Sequence, residues 1–208
     1  MINALLLIVS PIAAWERILQ ARFGLVHIFF IHLLPLLALT CWGEAYGLVH
    51  WGKWRGEVPR LKHFSAGEAF IFEVAQFLLS LLLVFLGAKL IKSIGETFHG
   101  RHSYSQTFTV VAYGLTPLFL ARLLDAFTPM TPWVSWAVGI LFSIGVIYQG
   151  LPRIMQPDPP HAFGLYLMSS LLLFIISGLI TFVTAWYLQG EFITLEALIL
   201  RLAARLPF

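Results

Sequence analysis

Long uncharged stretches without period-two alternation dominate the chain. Residues 23–43, 102–121, 126–152 and 159–190 contain no Asp, Glu, Lys or Arg, and 74–88 is a shorter run that reaches spanning length when extended through Glu73 towards Gly67 and Ser93. A helix needs about 20 mostly apolar residues to cross the hydrocarbon, and only helices or closed barrels satisfy their backbone there. The pattern predicts an all-α integral membrane protein. Its bundle of five transmembrane helices should cover about 23–48, 67–94, 104–127, 132–151 and 163–188, packed through short connections as a single domain over residues 1–208.

The two ends carry a shorter period. Ser10 before Pro11 has the form of an N-cap and first helical position, and Ile8, Ile12, Trp15 and Leu19 recur at spacings of four, three and four beside Glu16, Arg17 and Arg22. Phe192, Leu195, Ile199, Leu202 and Leu206 form a similar stripe, opened by Glu191 and Glu196 and closed by Arg201 and Arg205 in the sense the helix dipole favours. Amphipathic N- and C-terminal helices are expected, lying on the membrane or, as the better reading, docked with no role beyond packing. All seven tryptophans fall outside or near the ends of the five spans, at the headgroup level that suits an indole.

Composition makes the solvent unambiguous. Of 208 residues, 59% are hydrophobic and 11% charged, against roughly 25% charged in an ordinary soluble domain. Too little charge is available to coat a globule in water, and the single cysteine, Cys41, excludes a disulfide scaffold. Charge does not orient the chain: Arg17, Arg22, Lys89, Lys92, Arg101 and Arg153 fall on the N-terminal side, balanced by Lys53, Arg55, Arg60, Lys62, Arg201 and Arg205 on the other.

Two segments then carry a family resemblance. Ala112-Tyr113-Gly114-Leu115-Thr116-Pro117-Leu118-Phe119-Leu120 resembles the Gly/Ala-Tyr-x-x-x-Pro motif of the Ypt-interacting-protein (Yip) family. Tyr148-Gln149-Gly150-Leu151-Pro152-Arg153-Ile154-Met155 is similar to the Tyr-x-Gly-x-Pro segment of its bacterial inner-membrane members. Pro11 and Trp15 ahead of five spans complete a likeness that covers nearly the whole chain. It implies a five-helix domain in a bacterial inner membrane, with the N-terminus cytoplasmic and the C-terminus outside. Eukaryotic members are linked to Rab GTPases. This chain has neither their long cytosolic N-terminal region nor its Asp-Leu-x-Gly-Pro type of motif, so GTPase binding is not carried over.

Polar residues inside the spans are the candidates for chemistry. Antiparallel connectivity brings Glu44, Glu68, Glu73, Gln76, Arg122 and Asp125 towards one leaflet. Glu73 should sit about 9 Å inside its span, where a charge needs a partner or water. Arg122 is the cation at that depth, so a Glu73 to Arg122 contact is expected, with Gln76 close by, more as an ion pair that fixes packing than as a ligand site. His32, Tyr113 and Thr116 should form a polar seam at mid-membrane, around kinks at Pro35 and Pro117 that leave carbonyls open. Glu96, His99 and His102 have the spacing of weak metal ligands, with His161 on the same side, but an exposed polar cap is the better reading and no metal or other cofactor is expected. Small residues at Ser135, Gly139 and Ser143, and at Ser177, Thr181 and Ala185, provide close-packing faces. Trp51, Lys53, Trp54, Arg55, Arg60 and Lys62 suit an anionic headgroup surface and not nucleic acid.

No H-E-x-x-H, G-x-S-x-G or phosphate-binding Gly-Lys-Ser/Thr loop occurs, so no enzyme is expected. The reading is a non-catalytic multi-pass protein that organises membrane or binds lipids, other membrane proteins or further copies of itself. The alternative is a small channel or transporter using Glu73, Arg122, Asp125 and His32.

Overall fold

A computed structural model of the protein describes residues 2–21, 23–55, 60–98, 102–128 and 130–190; the expected C-terminal amphipathic helix and His99 lie outside them. Among the described residues, five helices are long and apolar enough to cross a membrane: Leu25–His50, Ala66–Thr97, Tyr104–Ala126, Pro132–Met155 and Pro159–Gln189. Every boundary falls within four residues of its expected position. Ser65 and Ser103 start the second and third spans with capping boxes, exchanging hydrogen bonds with Glu68 and Gln106.

The third span is the central helix. In its most apolar stretch 72% of the residues are buried, against 28–44% in the other four, whose outer faces carry the lipid-facing Leu, Ile, Val and Phe. It is also the broken one. Pro117 has no amide and its ring displaces the preceding turn, so helix Tyr104–Gly114 stops, Thr116–Ala121 resumes, and a 3-10 turn follows at Arg122–Ala126. The amide of Leu118 leaves the helical ladder and donates to Ser143 Oγ of the fourth span at 3.1 Å. Gly139, one turn before Ser143, permits this approach: a Cβ there would lie 2.8 Å from the Leu118 Cα. A second break relieves Pro35 in the first span, where Ile28–Leu33 widens into a π turn and Leu34 N–H reaches back to Phe29 O.

First and third spans touch backbone to backbone. A Cβ at Gly47 would overlap the Ala126 carbonyl, and one at Gly43 would meet the Leu123 side chain at 2.6 Å. Glycines four residues apart allow this proximity in lipid, where dispersion contacts and hydrogen bonds must hold helices together.

The N-terminal helices dock on the bundle, but not by the face that the apolar stripe marks. Pro11–Ala21 packs on the fourth span, and Ile2–Val9 packs on Thr116–Ala121 of the third. The buried face is Leu7, Ala14, Trp15 and Ile18, whereas Ile8, Ile12 and Leu19 are exposed. Trp15 is therefore not a headgroup anchor. Gly150 leaves the hollow that its indole fills, Nε1–H donates to Val146 O at 3.0 Å, and the ring meets Tyr113 edge-on. An indole with both a fitted cavity and a carbonyl acceptor gains more inside than at the interface.

Between the first two spans, Lys53–Arg55 and Arg60–Lys62 pair as an antiparallel hairpin. It turns one of the expected headgroup-facing residues inward. Lys53 is buried, and its ammonium donates to Phe127 O at 3.0 Å and Met130 O at 2.8 Å, carbonyls beyond the end of the third span.

Gly47→Ala is expected to push the first and third spans apart and destabilise the protein by about 1–3 kcal/mol, the usual cost of overpacking. Gly67→Ala, in a helix with nothing within 4 Å of the added methyl, should be neutral or stabilising. Thermal unfolding in detergent compares the two.

Candidate functional site

The breaks and glycine contacts converge on Arg122. Its position in the 3-10 turn, one helical turn before Ala126, sets it opposite Glu44, which lies one turn before Gly47. Arg122 Nη2 is 2.6 Å from Glu44 Oε2 and 3.4 Å from Glu73 Oε2, while Nη1 donates to Ser80 Oγ at 3.2 Å. The Ser80 hydroxyl in turn donates to Gln76 O at 2.8 Å. Glu44 and Glu73 are 1% and 6% exposed, so the three charges form a desolvated cluster joining three helices. Such a cluster holds only with short, well-directed bonds, because each ion has given up its hydration. Glu44 makes the shorter of the two ion pairs.

One oxygen stays outside the network. Glu73 Oε1 is buried and has no hydrogen-bond partner. Asp125, in the same 3-10 turn as Arg122, accepts from Ser135 Oγ at 2.7 Å. Lys53 lies near enough for Asp125 and Glu44 to favour its charged form, but burial outweighs both and lowers its pKa below the ordinary lysine value. Glu44, Arg122 and Asp125 border a cavity of about 40 Å³ shared with Gln76, Trp136 and Ser177, room for about one water.

Glu68 does not join this group. It is the carboxylate of the Ser65 capping box and pairs with Lys62 at 2.9 Å, at the aqueous end of the second span. The aqueous partner was closer in sequence than any intramembrane one, and the capping geometry turned the side chain outward.

Deeper in the bilayer, His32 Nε2 lies 3.0 Å from Thr116 Oγ1, and Thr116 donates to Ala112 O at 3.4 Å. The His32 and Tyr113 rings stand 4.1 Å apart. His32 lies within the π turn that accommodates Pro35, and Thr116 lies beside Pro117, so the two kinks face one another. This seam is separate from the Arg122 cavity, whose walls do not include His32.

At the opposite end, Glu96 pairs with Lys92 at 3.4 Å. His102 is buried against Gly95 and Met155, not part of an exposed cap. Among the described residues, no three His, Cys, Asp or Glu side chains gather as metal ligands. Tyr148 is exposed and meets Tyr166 edge-on, Gly150 seats Trp15, and the Pro152 carbonyl accepts the Gln156 amide where the fourth span ends. These last two residues build the fold and touch no polar centre.

Ser80, Ser143 and Lys53 have roles that sequence reasoning did not assign. For Ser143 the signal was its place on a small-residue stripe opposite Pro117. For Lys53 no local signal existed, since its acceptors lie more than 70 residues away.

Five apolar helices, four of them around a broken central one, with a charge cluster at their contact, define an integral membrane bundle. The chain belongs to the Yip1 domain family, whose model matches residues 5–197. No curated protein and no solved structure matches the chain.

Arg122→Met is expected to leave two buried carboxylates uncompensated and to cost about 3–5 kcal/mol. The triple variant Glu44→Gln, Glu73→Gln, Arg122→Met should recover most of that loss. Protein level in the membrane and unfolding in detergent measure both, and a triple variant no better than Arg122→Met would remove charge compensation as the explanation.

Proposed function

We propose that the protein is a non-catalytic membrane component that binds lipid, or an apolar membrane-protein partner, on the outer faces of its bundle. The observation that carries this reading is where free space lies. The charged interior offers about 40 Å³, whereas a recess between the first two spans measures about 460 Å³ and another, beside the fourth and fifth spans and Ile12, about 610 Å³. Both recesses have the size of pockets that take small molecules. The first is bordered mainly by apolar and aromatic side chains; the second combines Tyr148 and Tyr166 with Arg153.

Membership of the Yip1 domain family supports a membrane-organising role. The bacterial inner membrane, with a cytoplasmic N-terminus, is the setting that the resemblance of the Tyr148 to Met155 segment suggests. A channel or transporter is disfavoured by the closure of its candidate groups: Arg122 spends its donors on Glu44, Glu73 and Ser80, and His32 is held by Thr116.

The protein purified with native lipid and analysed by mass spectrometry should retain particular lipid classes, or a particular membrane protein, at fixed stoichiometry. Retention of neither, or only in proportion to bulk membrane composition, would count against binding.

A further inference from the structure

The recess between the first and second spans has one feature that general lipid binding does not require. Trp42 and Tyr46 from the first span, with Phe70 and Phe77 from the second, line an apolar groove of about 460 Å³, and Glu73 forms part of its wall. The Glu73 side chain is 7% exposed, Arg122 takes Oε2, and Oε1 has no partner. Glu73 is the one carboxylate among the described residues lining this groove.

Of the groups in the charge cluster, Glu73 alone lines the groove; Glu44, Arg122 and Asp125 border the interior cavity instead. A buried acceptor beneath an aromatic groove complements a positive hydrogen-bond donor: the carboxylate oxygen accepts from it, and aromatic faces attract it through their quadrupole.

We propose that this groove binds a single-chain alkylammonium amphiphile, its ammonium donating to Glu73 Oε1 and its chain lying along Val74, Phe77 and Leu78. The depth selects the ligand class. Glu73 follows Ala66, at the rim, by seven residues, so it lies roughly 10 Å below the groove mouth. An aminophospholipid would hold its amine outside its phosphate, at the level of the rim, whereas a simple long-chain amine can place nitrogen at that depth. This inference rests on the lipid-binding reading and narrows it to one ligand chemistry at one groove.

The test uses the full-length protein in non-ionic detergent, with hexadecylamine, hexadecanol and phosphatidylethanolamine as probes and native mass spectrometry as the readout. One hexadecylamine per protein is expected, held roughly tenfold more tightly than hexadecanol. Glu73→Gln should remove that preference while leaving Arg122 its bond to Glu44. Val74→Trp, which fills the groove at a half-exposed position away from the ion pairs, should weaken binding of the amine without disturbing the charge cluster. Equal retention of amine and alcohol, retention of the amine by both variants, or preference for phosphatidylethanolamine would overturn the proposal. If native lipids stay bound but hexadecylamine neither binds nor displaces them, the ammonium site alone fails; if no lipid of any class binds, the broader function fails with it.

Discussion

A charge buried in hydrocarbon must meet its partner at close range, and the architecture of this bundle follows from meeting that demand at Arg122. A lone charged side chain at the membrane centre costs ~2.5–3.5 kcal/mol on insertion scales. Here the guanidinium bonds to Glu44 and Glu73 from two different spans. That geometry requires the first and third spans to approach more closely than ordinary side chains allow. Gly43 and Gly47 supply the clearance, and the pair of spans then closes at Ala126. Packing and charge compensation are therefore one constraint seen from two sides.

The break at Pro117 works in the same direction. A straight third span would carry Arg122 on a regular helix; the interruption at Leu115 and the 3-10 turn at Arg122–Ala126 reset its direction. The freed Leu118 amide is satisfied by Ser143, so the kink does not leave a polar group facing lipid. Gly139 and Ser143 thus serve the ion cluster indirectly, by holding the fourth span against the broken helix. Trp15, seated over Gly150 and against Tyr113, closes the other side of that helix.

The spans were legible in the sequence because absence of charge is a long-range signal, insensitive to which way each helix faces. Depth was legible for the same reason, and it set Glu73 and Arg122 at one level. Rotation about the helix axes was not. Depth alone could not rank Glu44 above Glu73, although the glycines at positions 43 and 47 flank Glu44 and mark its face of the first span. Glu68 shows the reverse error: a carboxylate in the first turn of its span was grouped with the deeper ones, while Ser65 three residues earlier had already claimed it as a cap. Lys53 and Trp15 were assigned to the headgroups by residue type. The acceptor carbonyls and the Gly150 hollow that bury them belong to distant segments, and no local pattern records them.

The cluster also imposes an order on synthesis. Glu44 and Glu73 leave the ribosome before Arg122, on the two spans that form the first hairpin. In the finished structure, among the described residues, no cation of that hairpin bonds to either carboxylate. The first two helices on their own thus lack the base that bonds both acids, and the third helix brings it. The third span thus completes the cluster of the first two, and the fourth then holds its break through Ser143.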